Sequence, residues 1–272
     1  MPTLADRLVP DQLWQLVEPL LPSRPPHHHG GRPRQISDRA CFAAVVFMGR
    51  TSTPWELLPA RELGCGSYST AYRRFSAWTR AGVFDRLSLL LLDQLGEAGR
   101  IDWRRVSVDS VSLRAGEKGE HTGPNPTDRG KAGSKLHLAA DGGGIPLAVV
   151  LTGANTNDSV MFEPLLDELP AVATSTGRRR CRPGKVHADK AYDHRRCRRY
   201  LHKRGIKPRI ARRGIESSDR LGRYRWKAER TIAWLLGCRR LRVRFDRCDE
   251  RFYAFVLLAS SLICYQTLHT PP

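Results

Sequence analysis

Three carboxylates stand out: Asp109 in V-S-V-D-S, Asp189 in K-V-H-A-D-K-A-Y, and Glu229 in Y-R-W-K-A-E-R-T-I-A-W-L. Acidic residues are the minority here, 27 against 46 Lys and Arg, for a formal net charge of +19. Acids at strand ends and on a helix of so basic a chain suit hard divalent cations, which take oxygen ligands. A pair of Mg²⁺ ions, with Mn²⁺ as a substitute, can clamp the attacking and leaving oxygens of a phosphodiester. The surrounding positive charge would hold the polyanion that supplies it. A surface role is the competing reading. Asp189 would then cap the next segment, and Arg225 and Glu229, four residues apart, would form a helical ion pair.

Those acids need elements to position them. Val106 and Val108 alternate with Ser107 and Asp109, the pattern of a half-buried strand. Lys185–Ala188 reads as a later strand that delivers Asp189. Tyr224 to Leu236 reads as a helix that carries Glu229 and ends at Gly237. Between them, Lys135–Ala140 and Ile145–Leu151 flank Asp141-Gly142-Gly143-Gly144, a hairpin by its turn chemistry. A helical pattern runs from Asp158 to Leu169, with Pro164 kinking or restarting it. Residues 194–204 look helical, Lys207–Ala211 looks like a strand, and Asp249–Leu268 is an amphipathic helix. Residues 114–134 form a long loop rich in Gly, Pro and charge, of the functional or disordered kind. The sum is a mixed α/β sheet covered by helices.

Residues 11–95 read as helical. Asp11, then Ser37 or Asp38, then Thr53-Pro54, then Ser67 start successive helices. The third ends near Leu63, and Gly64-Cys65-Gly66 makes a short turn. A basic helix with Tyr72, Arg73, Arg74, Phe75 and Trp78 follows, which describes a helix-turn-helix. Residues 1–95 are therefore expected to bind DNA, 96–104 to link, and 105–272 to form the catalytic domain. Gly31-Arg32-Pro33-Arg34 has the make-up of a minor-groove hook or a plain basic loop.

Composition narrows the partners. A pI near 10.4 points to nucleic acid or an anionic membrane. No apolar run approaches the roughly 20 residues of a spanning helix, so no membrane is expected. Seven irregularly spaced cysteines without C-x-x-C fit a reduced, cytoplasmic protein. His27-His28-His29 lies between Pro26 and Gly30 and is read as a flexible stretch.

G-P-N-P-T-D-R-G-K-A-G-S-K-L-H, D-K-A-Y-D, and R-W-K-A-E-R-T-I-A-W-L followed by R-R-L-R-V-R resemble the DDE-class insertion-sequence transposases. The chain is most similar to insertion-sequence family five, related to family four, from about Leu8 to about Tyr265. The resemblance implies a helical region ahead of an RNase H-like catalytic domain. It implies that Asp109, Asp189 and Glu229 are the three catalytic, metal-binding acids. It gives Arg225 the place of the arginine in the Y-R-E-K signature. Gly222 stands where that signature has Tyr, and Leu236 where it has a basic residue, with Arg239 and Arg240 following. The implied activity is hydrolysis at the transposon ends and joining of the freed 3′-OH to target DNA. Arg225, Arg129, Lys131 and Lys135 would position phosphates. Arg73 and Arg74 would help dock the terminal inverted repeats. Arg32, Arg34, Arg239 and Arg240 are further candidate DNA contacts. Two ends must be synapsed, so a homodimer or larger assembly on DNA is expected. Two other activities compete: a non-catalytic DNA-binding repressor from a decayed or domesticated element, and a nuclease of the same fold that does not join strands.

Overall fold

The computed structural model describes residues 2–23, 36–215 and 218–270, with the side chains of 218–225 outside that description. Arg32, Arg34 and the His27–His29 run lie outside it.

Helices come first: α1 (Leu4–Leu8), α2 (Asp11–Val17), α3 (Asp38–Thr51), α4 (Ala60–Leu63), α5 (Tyr68–Arg80) and α6 (Val83–Glu97). Ser37 caps α3 and Ser67 caps α5, each hydroxyl accepting from the N–H three residues on. Asp11 does not cap α2: Pro10 precedes it, and Thr3 caps the unforeseen α1 in a capping box. The expected third helix is broken. Trp55–Leu57 forms one 3-10 turn, and Pro59, which lacks an N–H, confines α4 to four residues. Gly64 (φ 68°) and Gly66 (φ 78°) supply the left-handed turn into α5, and a Cβ on Gly66 would meet Ile36 at 2.9 Å.

The sheet follows. β1 (Val106–Ala115), β2 (Gly123–Pro124), β3 (Ala132–Asp141) and β4 (Pro146–Gly153) form one antiparallel part. After α7 (Phe162–Asp167), β5 (Val172–Ala173) and β6 (Arg179–Arg180) make a small separate ribbon. β7 (Lys185–Ala188) pairs in parallel with β1, α8 (Arg195–Lys203) crosses over, and β8 (Lys207–Ile210) pairs in parallel with β7 at the edge. Then come α9 (Ser218–Gly237), β9 (Val243–Arg244) and α10 (Asp249–His269). The strand order is β2-β3-β1-β7-β8, with β4 also on β3 and β9 also on β1. This is the mixed sheet flanked by helices, behind a helical region, that the sequence pattern implies.

Part of the supposed loop at 114–134 is built. β2 pairs with β3, and Asn125, 3 % exposed, closes a turn by accepting from the N–H and hydroxyl of Thr127. The 158–169 pattern resolves into a 3-10 turn over Asp158–Val160 and then α7, with Pro164 in its first turn where no N–H is needed.

One apolar core runs through the molecule. Phe75 of α5 lies 4.7 Å from Phe255 of α10, and α10 packs along α6. The helical region and the C-terminal helix share side-chain packing across the expected 96–104 linker, whose first two residues belong to α6. α10 is long and apolar enough to cross a membrane (mean hydropathy 1.3), but 61 % of that window is buried inside the protein, as in a core helix. All seven cysteines are free, with no disulfide among them.

Candidate active site

Asp109 and Asp189 come together through strand register. In the parallel pair, Val106 faces Val186 and Ser107 faces His187. Continuing that register puts Asp189, the residue after β7, beside Asp109. The pairing ends at Ser107 and His187, so each aspartate follows the last paired residue by two positions, and both leave the sheet on the same face. Each has one oxygen fixed by backbone. Asp109 Oδ1 accepts from Ser110 N–H (2.9 Å), and Asp189 Oδ1 accepts from Ala191 N–H (2.8 Å) as it caps a 3-10 turn.

The strand edge around Asp109 is open. β7 pairs with β1 only at Val106 and Ser107, and β9 rejoins the same edge at Arg114 and Ala115. Residues 109–112, between those contacts, are half-buried, whereas 106–108 are buried. The aspartates therefore lie at the mouth of a slot between diverging strands, the place where α/β sheets present their sites.

Glu229 is on α9, which packs on β1, β3 and β7. Ala228, Thr231 and Leu235 are buried on its inner face, and Glu229 is exposed on the flank. α9 is anchored to the β3–β4 turn. Thr231 Oγ1 donates to the Gly144 carbonyl (2.7 Å), Arg230 to that of Gly143 (2.6 Å), and Lys227 to that of Gly142. Among the described residues, no three Asp, Glu, His or Cys side chains are gathered as a metal-holding group. Asp109 and Asp189 have the oxygen-donor chemistry that a hard cation needs. Arg225 also lies on α9, with its side chain outside the described residues.

A fourth acid was missed by sequence reasoning. Asp158 Oδ1 accepts from Ser110 Oγ (2.8 Å) and Lys135 Nζ (3.0 Å), and His137 Nδ1 lies 3.8 Å away. Ser110, Lys135 and His137 share one face of the sheet, opposite the Asp109 side chain. This corrects the role given to Lys135: its ammonium is 12 % exposed and held by Asp158 and the Thr156 carbonyl, which removes it from solvent. A sequence signal existed, since S-K-L-H alternates as a strand and puts Lys135 and His137 on one side.

Tyr192, 2 % exposed, lies over this cluster beside Phe162. Burial, then the charges of Asp158, Asp109 and Asp189, push its hydroxyl above the normal phenol range. The hydroxyl is near Ser110 but makes no hydrogen bond of ordinary geometry. A buried, unsatisfied polar group costs about 1–3 kcal/mol. Tyr192→Phe should leave the thermal midpoint unchanged or raise it. A fall of several degrees would show that the hydroxyl has a structural partner.

His137 is fully buried, its Nε2 paired with Thr152 Oγ1 (2.9 Å). Burial lowers it to about 4, against the partial pull of Asp158 upward. The unfolded chain takes up this proton near pH 6.5 and the folded one does not until about 4, so stability falls as pH drops through that window. The loss from this group is on the order of 3 kcal/mol at most. Burial raises Asp141, which acts in the opposite sense. Urea midpoints for wild type and His137→Gln between pH 7 and pH 4 isolate the imidazole. An unchanged slope in the variant would refute its role.

The basic candidates divide. Arg73, Arg129, Lys131 and Arg239 are exposed, as a DNA contact requires. Arg74 is not: it is 9 % exposed, paired with Asp38 (2.8 Å) and donating to the Ser37 and Ile36 carbonyls, so it ties α5 to the start of α3. Arg240 is 5 % exposed, forked onto Asp246 and stacked on Phe255, so it too is internal. From the sequence, Trp226 and Trp234 could stack an unpaired base or, more readily, pack in the core. They are 45 % and 42 % exposed, with the Arg230 guanidinium between them at 4.7 and 4.4 Å.

Comparison with known proteins places these observations. Residues 103–265 match the family described as transposase DDE domain, and residues 9–88 match a putative transposase family of the IS4/5 group. The chain is 50 % identical over 147 residues to a putative transposase for insertion sequence element IS402 of Burkholderia cepacia, covering 54 % of this chain and 70 % of that one. It is 43 % identical over 124 residues to an uncharacterized 16.2 kDa protein of the same insertion element, covering 45 % and 84 %. Among solved structures it resembles a piggyBac transposase synaptic complex with hairpin DNA, with a TM-score of 0.50, 10 % identity, and coverage of 97 % and 74 %; that likeness is one of fold. The mixed sheet with flanking helices is thus shared with the piggyBac transposase. The chain belongs to the DDE-domain transposases, in their IS4/5 group.

Proposed function

We propose that this transposase binds the terminal inverted repeats of its element, hydrolyses the phosphodiester at each end, and joins the freed 3′-OH to target DNA. What supports the reading is the parallel pairing of β1 with β7 at Val106–Val186 and Ser107–His187, from which Asp109 and Asp189 each follow by two residues at an open strand edge. Asp109 and Asp189, with Glu229 from α9, would hold Mg²⁺ or Mn²⁺. When bound, such ions lower the pKa of water and stabilise the charge that develops on attacking and leaving oxygens. The chain's own part is positioning. Backbone N–H groups at Ser110 and Ala191 orient the two carboxylates. The anchoring of α9 to the β3–β4 turn sets where Glu229 stands. No covalent protein intermediate is needed, because water and then the 3′-OH serve in turn as nucleophile for in-line displacement.

Exposed Arg73, Arg129, Lys131 and Arg239 supply sequence-independent phosphate contacts. Arg225 would clamp a phosphate bidentately, and two ends would be held by at least two copies of the chain. The test incubates the full chain with terminal-repeat DNA, Mg²⁺ and a supercoiled plasmid. Nicked ends and joined products are expected. Metal-dependent nicking without joining would leave a nuclease, and binding without nicking would leave a repressor.

A further inference from the structure

The face of the sheet that carries the aspartates continues beyond them. β7 and β8 run in register, with Lys185 opposite Lys207 and His187 opposite Arg209. Register partners share a face and alternate residues return to it, so Lys185, His187, Lys207 and Arg209 all lie on the Asp189 side. Their even-numbered neighbours Val186, Ala188 and Ile210 are buried on the other side. Lys207 and Arg209 are exposed and Lys185 is half-buried. None of the three side chains makes a hydrogen bond or ion pair among the described residues.

That lack of partners is informative because the neighbouring helix behaves differently. On α8, Arg196 and Arg198 are paired with Glu163 and Asp193, and Arg204, which follows the helix, is paired with Asp167. Carboxylates pair with that layer, whereas Lys185, Lys207 and Arg209 have no carboxylate partner among the described residues. β8 is an edge strand, so nothing beyond it in the sheet crowds this face.

We infer that Lys185, Lys207 and Arg209 form a track for a DNA backbone that leaves the Asp109–Asp189 slot along β7 and β8. Cations two residues apart on a strand repeat every ~6.6 Å, and facing strands are ~4.8 Å apart. The ligand class is duplex DNA, read through its phosphates without sequence preference. The inference rests on the reading that the aspartate slot acts on DNA.

The test compares two triple variants of the full chain. One carries Lys185→Gln, Lys207→Gln and Arg209→Gln, which keeps the aliphatic stems. The other carries Arg195→Gln, Arg199→Gln and Lys203→Gln on the exposed side of α8, removing equal charge from the opposite layer. Affinity for a random duplex is measured against salt, and thermal midpoints check folding. Each phosphate contact contributes roughly 0.9 to the slope of log K against log salt, so the track variant should lose about 2 to 3 units of slope and the α8 variant less than one. Equal losses in both would mean a diffuse charge effect and overturn the track. So would an unchanged slope in the track variant. A wild-type chain that binds no duplex at all would overturn both this inference and the proposed function.

Discussion

Asp109→Asn and Asp189→Asn should each lower metal-dependent DNA cleavage by on the order of 10³-fold or more, with duplex affinity unchanged. The estimate follows from the several kcal/mol that metal-assisted stabilisation supplies, at tenfold per 1.4 kcal/mol. Asn keeps the shape and an acceptor oxygen for the N–H of Ser110 or Ala191, so the fold around each position survives. What is lost is the negative charge that a hard cation requires. Glu229→Gln should follow the same pattern, since Glu229 stands on a helix packed on the same sheet. Gel-based cleavage assays read the rate, and band shifts without metal read binding. Wild-type cleavage by either aspartate variant would remove the site assignment.

The largest stability effect is expected at Arg244. Its side chain is 1 % exposed. It pairs with Asp249 (2.5 Å), donates to Ser134 Oγ (2.8 Å) and the Asp246 carbonyl (2.9 Å), and stacks on Phe252. One guanidinium thereby ties the C-terminal edge of the sheet to the start of α10. Arg244→Ala leaves the partly buried Asp249 carboxylate with His121 as its remaining side-chain partner, and removing one member of a buried pair costs up to about 3–5 kcal/mol. Chemical denaturation of the purified variant measures it. A change below about 1 kcal/mol would mean that solvent reaches this site.

The sequence made strand ends and acids legible because those signals are local. Alternation around Asp109, a short apolar run before Asp189 and the helical period around Glu229 need only nearby residues. The fate of the cations was not legible. Arg74 finds Asp38, Lys135 finds Asp158, and Arg240 finds Asp246 only once the chain has folded. A basic residue in a basic protein reads as surface until a distant carboxylate claims it. The same limit hid Asp158, which looked like a helix start and proved to be an acceptor beneath β1. Trp226 and Trp234 misled in the other direction: large aromatics suggest core, yet here they flank an arginine on an exposed face. Two-residue strands such as β9 carry no periodicity to detect.

The unequal seams around β1 carry a mechanical consequence. β1 is matched to β3 over nine residue pairs but to β7 over two. The turn that closes β3 also grips α9 through Lys227, Arg230 and Thr231. Asp109 and the Glu229 helix therefore belong to one stiff unit, while Asp189 hangs from the other side of a short zip. Whatever bridges the aspartates acts as a clasp across that zip. Beyond its two rungs, that seam is backed by α9, which packs on β7 as well as on β1 and β3. On the proposed function, the β1–β7 seam is the one on which a bridged strand end would bear, and it is far shorter than the seam between β1 and β3.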